Sequence, residues 1–292
     1  MTQTITGNIH DQMTAYRSEA IMGFERKGGL LRQSVTTETM KKGSSLVFVV
    51  KDSGSATANT RGYDGNIVPR SMNNNQVTLS MSEWHDLPRM TGYNVFTSQD
   101  ANPRFAMYET AYDVLGRKQD DDIVTALNTA TQGPTDTAIS DAFRLLMDGV
   151  ELLGRSNVRT DGGDIYAVVS HAFMSNLQRV KEFSHAEYVS QKTYDDGVQS
   201  TNMMWKWNGI NIIKFNNLPG VGTATERCFI YHKNAIGHAI DNESFDISVG
   251  YNDEQAYSYV RASAFMGAKL LQNSGVKILK HVGNSVSATT MT

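Results

Sequence analysis

Two rhythms of apolar residues run along this chain. Near the start, Met13, Tyr16, Ala20, Ile21 and Phe24 fall at helical spacing, which predicts a short amphipathic helix between Asp11 and Leu31 that Gly28-Gly29 would end. Leu46 to Lys51 is rich in β-branched and aromatic residues and reads as a strand. Gln76 to Ser82 reads as a second strand, with Val77, Leu79 and Met81 on one face and Thr78, Ser80 and Ser82 on the other. A long helix is predicted from Arg104 to about Ala130, capped by Asn102 and started by Pro103. Its stripe is Tyr108, Tyr112, Leu115, Ile123 and Leu127, interrupted by Gln119. Lys118 and Asp122, and likewise Arg117 and Asp121, stand four apart and can pair along it. A second helix is predicted from Thr137 to Leu153, capped by Asp136 or Thr137 and ended by Gly154.

Further on, Asp164 to Val169 reads as a buried strand, after which Ser170 caps a short helix from Ala172 to Val180. Lys181 to Thr201 is polar, with a turn at Asp195-Asp196-Gly197. Strands are predicted at Ile210–Phe215 and Cys228–Tyr231, with a turn at Asn217-Leu218-Pro219-Gly220 and a short helix at Asn234–Ile240. Residues 136 to 240 therefore read as an α/β unit of their own. Phe245 to Val249 and Ala256 to Arg261 alternate, the latter leading into Ala264–Leu271, and Gly275 to Lys280 is a last strand.

The stretch between the first two strands, Asp52 to Asn75, departs from this regularity. It is polar, rich in Gly, Ser and Asn, and has almost nothing to bury. Loops longer than ~12–15 residues without structure are uncommon in compact domains and usually serve a function. Two strands flanking such a loop predict a long hairpin arm that lies on something else, most simply a neighbouring copy. The plainer reading is a surface loop.

Composition narrows the classes. The 292 residues carry a formal net charge of −3, with 40% hydrophobic and 20% charged residues, as expected of a folded globular chain. No Lys/Arg-rich run marks a nucleic-acid grip; Arg26-Lys27, Arg32 and Lys41-Lys42 read as a solvated face rather than a nucleic-acid contact. The single Cys228 sits in an apolar run and reads as a buried, inert thiol of a reducing compartment. Neither a signal peptide nor an apolar run of the ~18 residues a membrane helix needs is visible.

Candidate chemistry is thin. Glu83, His85 and Asp86 place two carboxylates beside a histidine, a base or metal ligand in principle. At a strand end, however, neighbouring side chains alternate faces, so polar strand-end residues are the preferred reading. Asp120-Asp121-Asp122 fans around a helix and reads as a solvated charged face, not a cation site. His10, His171, His185, His232, His238 and His281 show no metal spacing. Leu218 to Thr223 lacks the Gly-Lys-Ser/Thr of a phosphate loop, and no Gly-x-Ser-x-Gly elbow exists. No catalytic residue, metal or cofactor is expected.

The order of elements is N-terminal arm, hairpin with a long polar loop, long helix, inserted α/β unit, returning strands. This order resembles the major capsid proteins of tailed bacteriophages, a fold shared with herpesvirus shells and encapsulins. Local wording is similar too: Thr60 to Pro69, Asn75 to Leu79 and Trp84-His85 for the extended loop, Ala111 to Leu127 for the spine helix with Asp120-Asp121-Asp122-Ile123-Val124-Thr125-Ala126-Leu127, and Gly267 to Leu271 with Gly275-Val276 for the closing strands.

The resemblance implies an α+β fold with an N-terminal arm (1–44), an extended loop (45–92), a peripheral domain with spine helix (93–135 and 241–283), an axial domain (136–240) and a tail (284–292). It implies hexamers and pentamers of the chain forming an icosahedral shell around non-specifically enclosed double-stranded DNA, in a virion, after synthesis in the bacterial host cytoplasm. The leader before the arm is too short for an internal scaffolding segment, which implies a separate scaffolding protein beside portal and decoration proteins. No membrane is involved. Arg61, Asp64, Arg70, Arg117 and Asp121 are the candidates for contacts between subunits. Lys–Asn cross-linking, known in some relatives, is not expected. The alternatives are an encapsulin-like compartment, a metal-dependent hydrolase around His85, and another virion part such as a tail or portal component.

Overall fold

The computed structural model describes residues 28–40, 42–52, 56–61, 63, 65, 67, 69–70, 72–93, 103–160, 162–184, 204–241 and 245–284. The expected helix before Gly28, the Asn102 cap, Asp64, His10, His185, the Asp195-Asp196-Gly197 turn and the tail after 284 lie outside the described residues.

After a single 3₁₀ turn, Thr36–Thr39 forms β1. The hairpin follows as β2 (Ser45–Asp52) and β3 (Asn73–Ser80), paired in register from Ser45↔Ser80 to Asp52↔Asn73. Ser82–Asp86 is β4 and Arg89–Thr91 is β5. The long helix α1 spans Pro103–Asn128, about 39 Å at ~1.5 Å per residue. α2 is Ala142–Arg155, β6 is Ile165–Val169, α3 is His171–Gln178 and α4 is Lys181–Ser184. Then come β7 (Met204–Trp207), β8 (Ile210–Lys214), β9 (Glu226–His232), β10 (Ile236–Ile240), β11 (Asp246–Asn252), β12 (Tyr257–Leu270) and β13 (Val276–His281).

Among the described residues the strands form three sheets. In the six-stranded sheet β1, β10, β12 and β11 lie in that order, and β4 and β5 also pair with β12. The five-stranded sheet runs β13-β9-β6-β8-β7. The hairpin β2-β3 forms a third sheet by itself. Sheet membership crosses the limits of the 136–240 unit: β10 belongs with β12, and β13 closes the edge beside β9.

α1 joins two cores. Its C-terminal half, with Ile123, Val124 and Leu127, packs into the cluster around the five-stranded sheet, where Ile165, Val168, Ile212, Phe229 and Leu279 are also buried. Its N-terminal half, with Met107, Ala111 and Leu115, packs on Val260, Ala262, Ala264 and Met266 of β12. The buried stripe therefore runs through Met107, Ala111, Leu115, Gln119 and Ile123, whereas the expected members Tyr108 and Tyr112 are 41% and 45% exposed. Gln119 continues the stripe: its amide meets His238 Nε2 at 3.2 Å inside the protein.

Other expectations change as well. Asp141, not Asp136 or Thr137, caps α2, its side chain accepting from the Arg144 N–H; Ile139 instead bridges His281 in parallel. Asn234–Ile240 is not helical: a 3₁₀ turn at Lys233–Ala235 leads into β10. That strand lies between β1 and β12 and is buried on both faces, with His238 against Gln119 of α1 and Gly237 under the Phe48 ring of β2. Burial on every side leaves no alternation to read, and so helix and strand cannot be told apart from the pattern. The two segments expected at 256–271 are one 14-residue strand, β12, with Ser258, Val260, Ala262, Ala264 and Met266 all facing inward. Ser170 caps α3 as expected, accepting from the Phe173 N–H.

Candidate assembly surface

The hairpin β2-β3 turns one apolar face to the body. Leu46, Phe48 and Val50 alternate inward and are set opposite Leu79, Val77 and Asn75, and Leu79 is completely covered. The other face is open, leaving Val47 and Val49 about half exposed. An isolated two-stranded hairpin is marginal in water, and here contact with β12 steadies its base: Lys269 Nζ donates to Thr78 O at 2.7 Å.

At the far end, the described loop residues are exposed except for Gly65. Arg61 Nε donates to Gly65 O at 3.1 Å, closing a turn in which Gly65 has φ +74°, a conformation glycine adopts without strain. Tyr63, at the head of this turn, is fully exposed. Arg70 is exposed and already engaged. Thus Arg61 and Arg70 lie in the same loop.

Arg117 and Asp121 lie on α1. Asp121 accepts the Asn217 side-chain N–H at 2.9 Å, tying α1 to the turn after β8. Arg117 lies near Asp86, whose carboxyl is raised by burial and pulled back by the Leu87 N–H and by the Arg117 charge. The expected pairing of Lys118 with Asp122 is present at 2.7 Å, and Lys118 also sits 3.9 Å above the Trp84 ring.

The Asp triplet differs most from expectation. Asp120 is fully buried, not part of a solvated face. Its carboxylate accepts the N–H groups of Leu30 (3.2 Å) and Leu31 (2.9 Å). One turn earlier the incoming chain crosses α1 at Gly116, where a Cβ would lie 2.9 Å from Gly28 Cα, and the Gly29 N–H donates to Gly116 O. Only hydrogen side chains allow backbones to approach so closely. Beyond this crossing, Leu31 and Val35 sink into the core, and Ser34 Oγ bonds Tyr231 OH at 2.5 Å. The sequence gives one clue to the crossing, glycine at 28, 29 and 116, but no clue that they meet.

Possible reaction centres resolve into structural roles. Glu83 and His85 pair at 3.0 Å on one face of β4. Asp86 lies on the other face, because their β12 partners, Ala262 and Ser263, are consecutive. Among the described residues no three His, Cys, Asp or Glu gather as a metal site. A second cluster was not anticipated: Ser170 Oγ donates to Glu226, His281 Nδ1 stands 3.5 Å from the same carboxylate, and His281 Nε2 meets the Asn176 amide at 3.0 Å. All three of Ser170, Glu226 and His281 are buried, and the serine faces the carboxylate rather than the imidazole. The buried hydroxyl is thus engaged by the carboxylate, and the three side chains tie the start of α3 to β9 and β13. Burial raises Glu226, but the bonds from His281, Ser170 and the Gly222 N–H outweigh it and hold the carboxyl below its ordinary value. Burial pushes the neighbouring Cys228 thiol far up, in keeping with an inert thiol. Lys277 reaches Gln132 and, at 3.0 Å, Ser156 Oγ at the end of α2, where a helix C-terminus favours a cation. Among the described residues no helix is long and apolar enough to cross a membrane.

Among the described residues the body holds two packed cores and carries a hairpin whose outer apolar face is open. A family described as phage capsid protein matches residues 10–282, and the chain belongs to that family. It is a phage major capsid protein with the tailed-phage capsid fold, a structural component of the virion shell. A chain from Mycobacterium phage Che8 superposes with a TM-score of 0.71 at 16% identity, covering 92% of this chain and 97% of that one. The capsid of a native GTA particle superposes with a TM-score of 0.67 at 12% identity, covering 97% and 99%. The capsid asymmetric unit of cyanophage Pam1 gives 0.67 at 11% identity, covering 98% and 100%. A search of curated proteins returned no match. Neither the encapsulin-like compartment nor the hydrolase around His85 finds support in these comparisons.

Proposed function

We propose that copies of this chain close into an icosahedral shell of hexamers and pentamers around packaged double-stranded DNA, with the extended loop of one subunit lying on the next. The observation that carries this reading is the hairpin with its open apolar face and its exposed, turn-closed tip. Permanent interfaces commonly bury more than ~2,000 Å², and a subunit that meets several neighbours through its body, arm and loop reaches that total. Closed rotational symmetry makes such a lattice finite. The subunit works as a building block without catalysing a reaction. It is synthesised in the bacterial host cytoplasm and assembles with a separate scaffolding protein, a portal and decoration proteins.

Within this reading, 1–44 is the arm, 45–92 the extended loop, 93–135 with 241–283 the peripheral domain, 136–240 the axial domain and 284–292 the tail. Arg61, Asp64 and Arg70 in the loop, and Arg117 and Asp121 on α1, are contact residues. A single exposed pair contributes only ~0–1 kcal/mol, but a shell repeats each pair in every subunit. Electron microscopy of the purified protein, alone and with the products of neighbouring genes, tests the proposal. Icosahedral particles are expected, while rings or tubes in every condition would refute it. Deleting residues 55 to 73 is expected to leave a folded subunit that does not assemble.

A further inference from the structure

A polar pocket lies where three segments remote in sequence meet. The ends of α2 and β9 and the turn between β12 and β13 enclose about 500 Å³, with Ser156, Arg159, His232, Asn234, Gln272 and Ser274 in the lining. Its floor is fixed. The N–H groups of Leu271 and Gln272 both donate to Ala235 O, at 2.9 and 3.2 Å, and a Cβ on Gly275 would lie 2.8 Å from Ala235 Cβ. Small-molecule sites are commonly preformed in this way, concave and with a few placed polar groups.

The side chains of the lining bring donors. His232 Nδ1 accepts the Asn234 N–H at 3.2 Å, which puts the proton of the neutral ring on Nε2. Asn234 sets its Oδ1 against the Thr36 hydroxyl at 3.1 Å, which leaves its NH₂ group for the pocket. Gln272 and Ser274 are exposed and add an amide and a hydroxyl. Among the described residues of the lining none is acidic. Arg159 is already engaged, and the decisive charge lies behind the wall instead. Lys277 is only 2% exposed, and its ammonium bonds two neutral groups, Gln132 and, at 3.0 Å, Ser156 Oγ. Ser156 gives its own proton to Leu152 O at 2.8 Å, so its oxygen is left for the ammonium. A buried ammonium without a counter-charge is costly, and the partial charge of the α2 C-terminus offsets only part of that cost. An anion beyond Ser156 completes the compensation.

The donors come from three separate segments. A carboxylate offers two oxygens in one plane, whereas a phosphate spreads its oxygens around a tetrahedron and meets donors from several sides. The volume also leaves room for a sugar or a base beside the phosphate. We propose that this pocket binds a phosphate group, carried by a free nucleotide or exposed on nucleic acid. The site belongs to the single chain and is independent of shell closure.

Isothermal titration calorimetry on the full chain at constant ionic strength tests it, with inorganic phosphate, deoxyadenosine monophosphate, a short DNA duplex and acetate as probes. Saturable phosphate binding is expected, with acetate about tenfold weaker or worse. Ser274→Glu, at an exposed position, brings a carboxylate to the lining and should weaken phosphate about tenfold, whereas Ser274→Lys should strengthen it. Thr125→Glu, exposed on α1, makes the same change in net charge elsewhere and should leave binding unchanged. All three variants should melt with the native chain when no ligand is present. Binding of the nucleotide tighter than that of phosphate identifies a free nucleotide as the source, and tighter binding of the duplex, lost in Ser274→Glu, identifies nucleic acid; either result supports the site. No saturable phosphate binding, acetate binding as tightly as phosphate, or equal losses in Ser274→Glu and Thr125→Glu would overturn it.

Discussion

Replacing Asp120 by asparagine removes the charge that fastens the incoming chain to α1. In the native protein one buried carboxylate takes two backbone N–H groups, from Leu30 and Leu31, at 3.2 and 2.9 Å. Hydrogen bonds to a charged acceptor contribute ~1.5–3 kcal/mol, and a buried donor left without a partner costs ~1–3 kcal/mol. Asparagine keeps one acceptor oxygen but turns an NH₂ toward the other N–H, so one bond is lost and one donor is orphaned. The expected cost is about 2–4 kcal/mol. For a chain of this size ~1 kcal/mol corresponds to ~2–4 °C, so the melting temperature should fall by roughly 5–15 °C. Hydrogen exchange localises the effect: the Leu30 and Leu31 amides should lose protection before those of β6 or β9. Glu151→Gln, which breaks only the exposed pair with Arg155, serves as control and should change stability by less than ~0.5 kcal/mol. An Asp120→Asn protein that melts with the native one and keeps both amides protected would refute the clamp.

Three further outcomes follow from the same geometry. Gly116→Ala places a Cβ against Gly28; overpacking of this kind costs ~1–3 kcal/mol, and thermal unfolding indistinguishable from native would contradict the crossing. Glu226 is held below its ordinary value of 4.5, so its contribution is present above the unfolded value and lost as pH falls through the folded one; Glu226→Gln should be less stable at neutral pH and show a flatter acid limb below pH ~4.5 in urea titrations. His238 is lowered from 6.5 to about 4 by burial and then by the Arg32 charge. The unfolded chain therefore binds the extra proton first, and stability declines between pH 6.5 and about 4. His238→Gln should reduce that slope, and an unchanged slope would show that His238 does not set it.

Elements governed by neighbours in sequence were legible. β2 and β3 alternate, α1 is long and periodic, and Ser170 stands at the start of its helix, because strand faces, helix stripes and caps are set within a few residues. The phage-capsid resemblance was legible for a related reason, the order of such elements along the chain. The placement of Arg61 and Arg70 in one loop follows from their sequence proximity.

What depends on distant pairing was not legible. Asp120 reads as one of three exposed acids until the chain at Leu31, 89 positions away, is laid across it. β10 reads as a helix because α1 on one face and Phe48 of the hairpin on the other bury it and erase the alternation. The Ser170–Glu226–His281 cluster joins three elements that share no motif. Local side-chain chemistry determined the hairpin strands, the long helix and the loop between β2 and β3, whereas burial and partner choice arise only when remote segments compete for the same space. Tertiary structure alone therefore decided which acid is a clamp and which turns meet around a pocket.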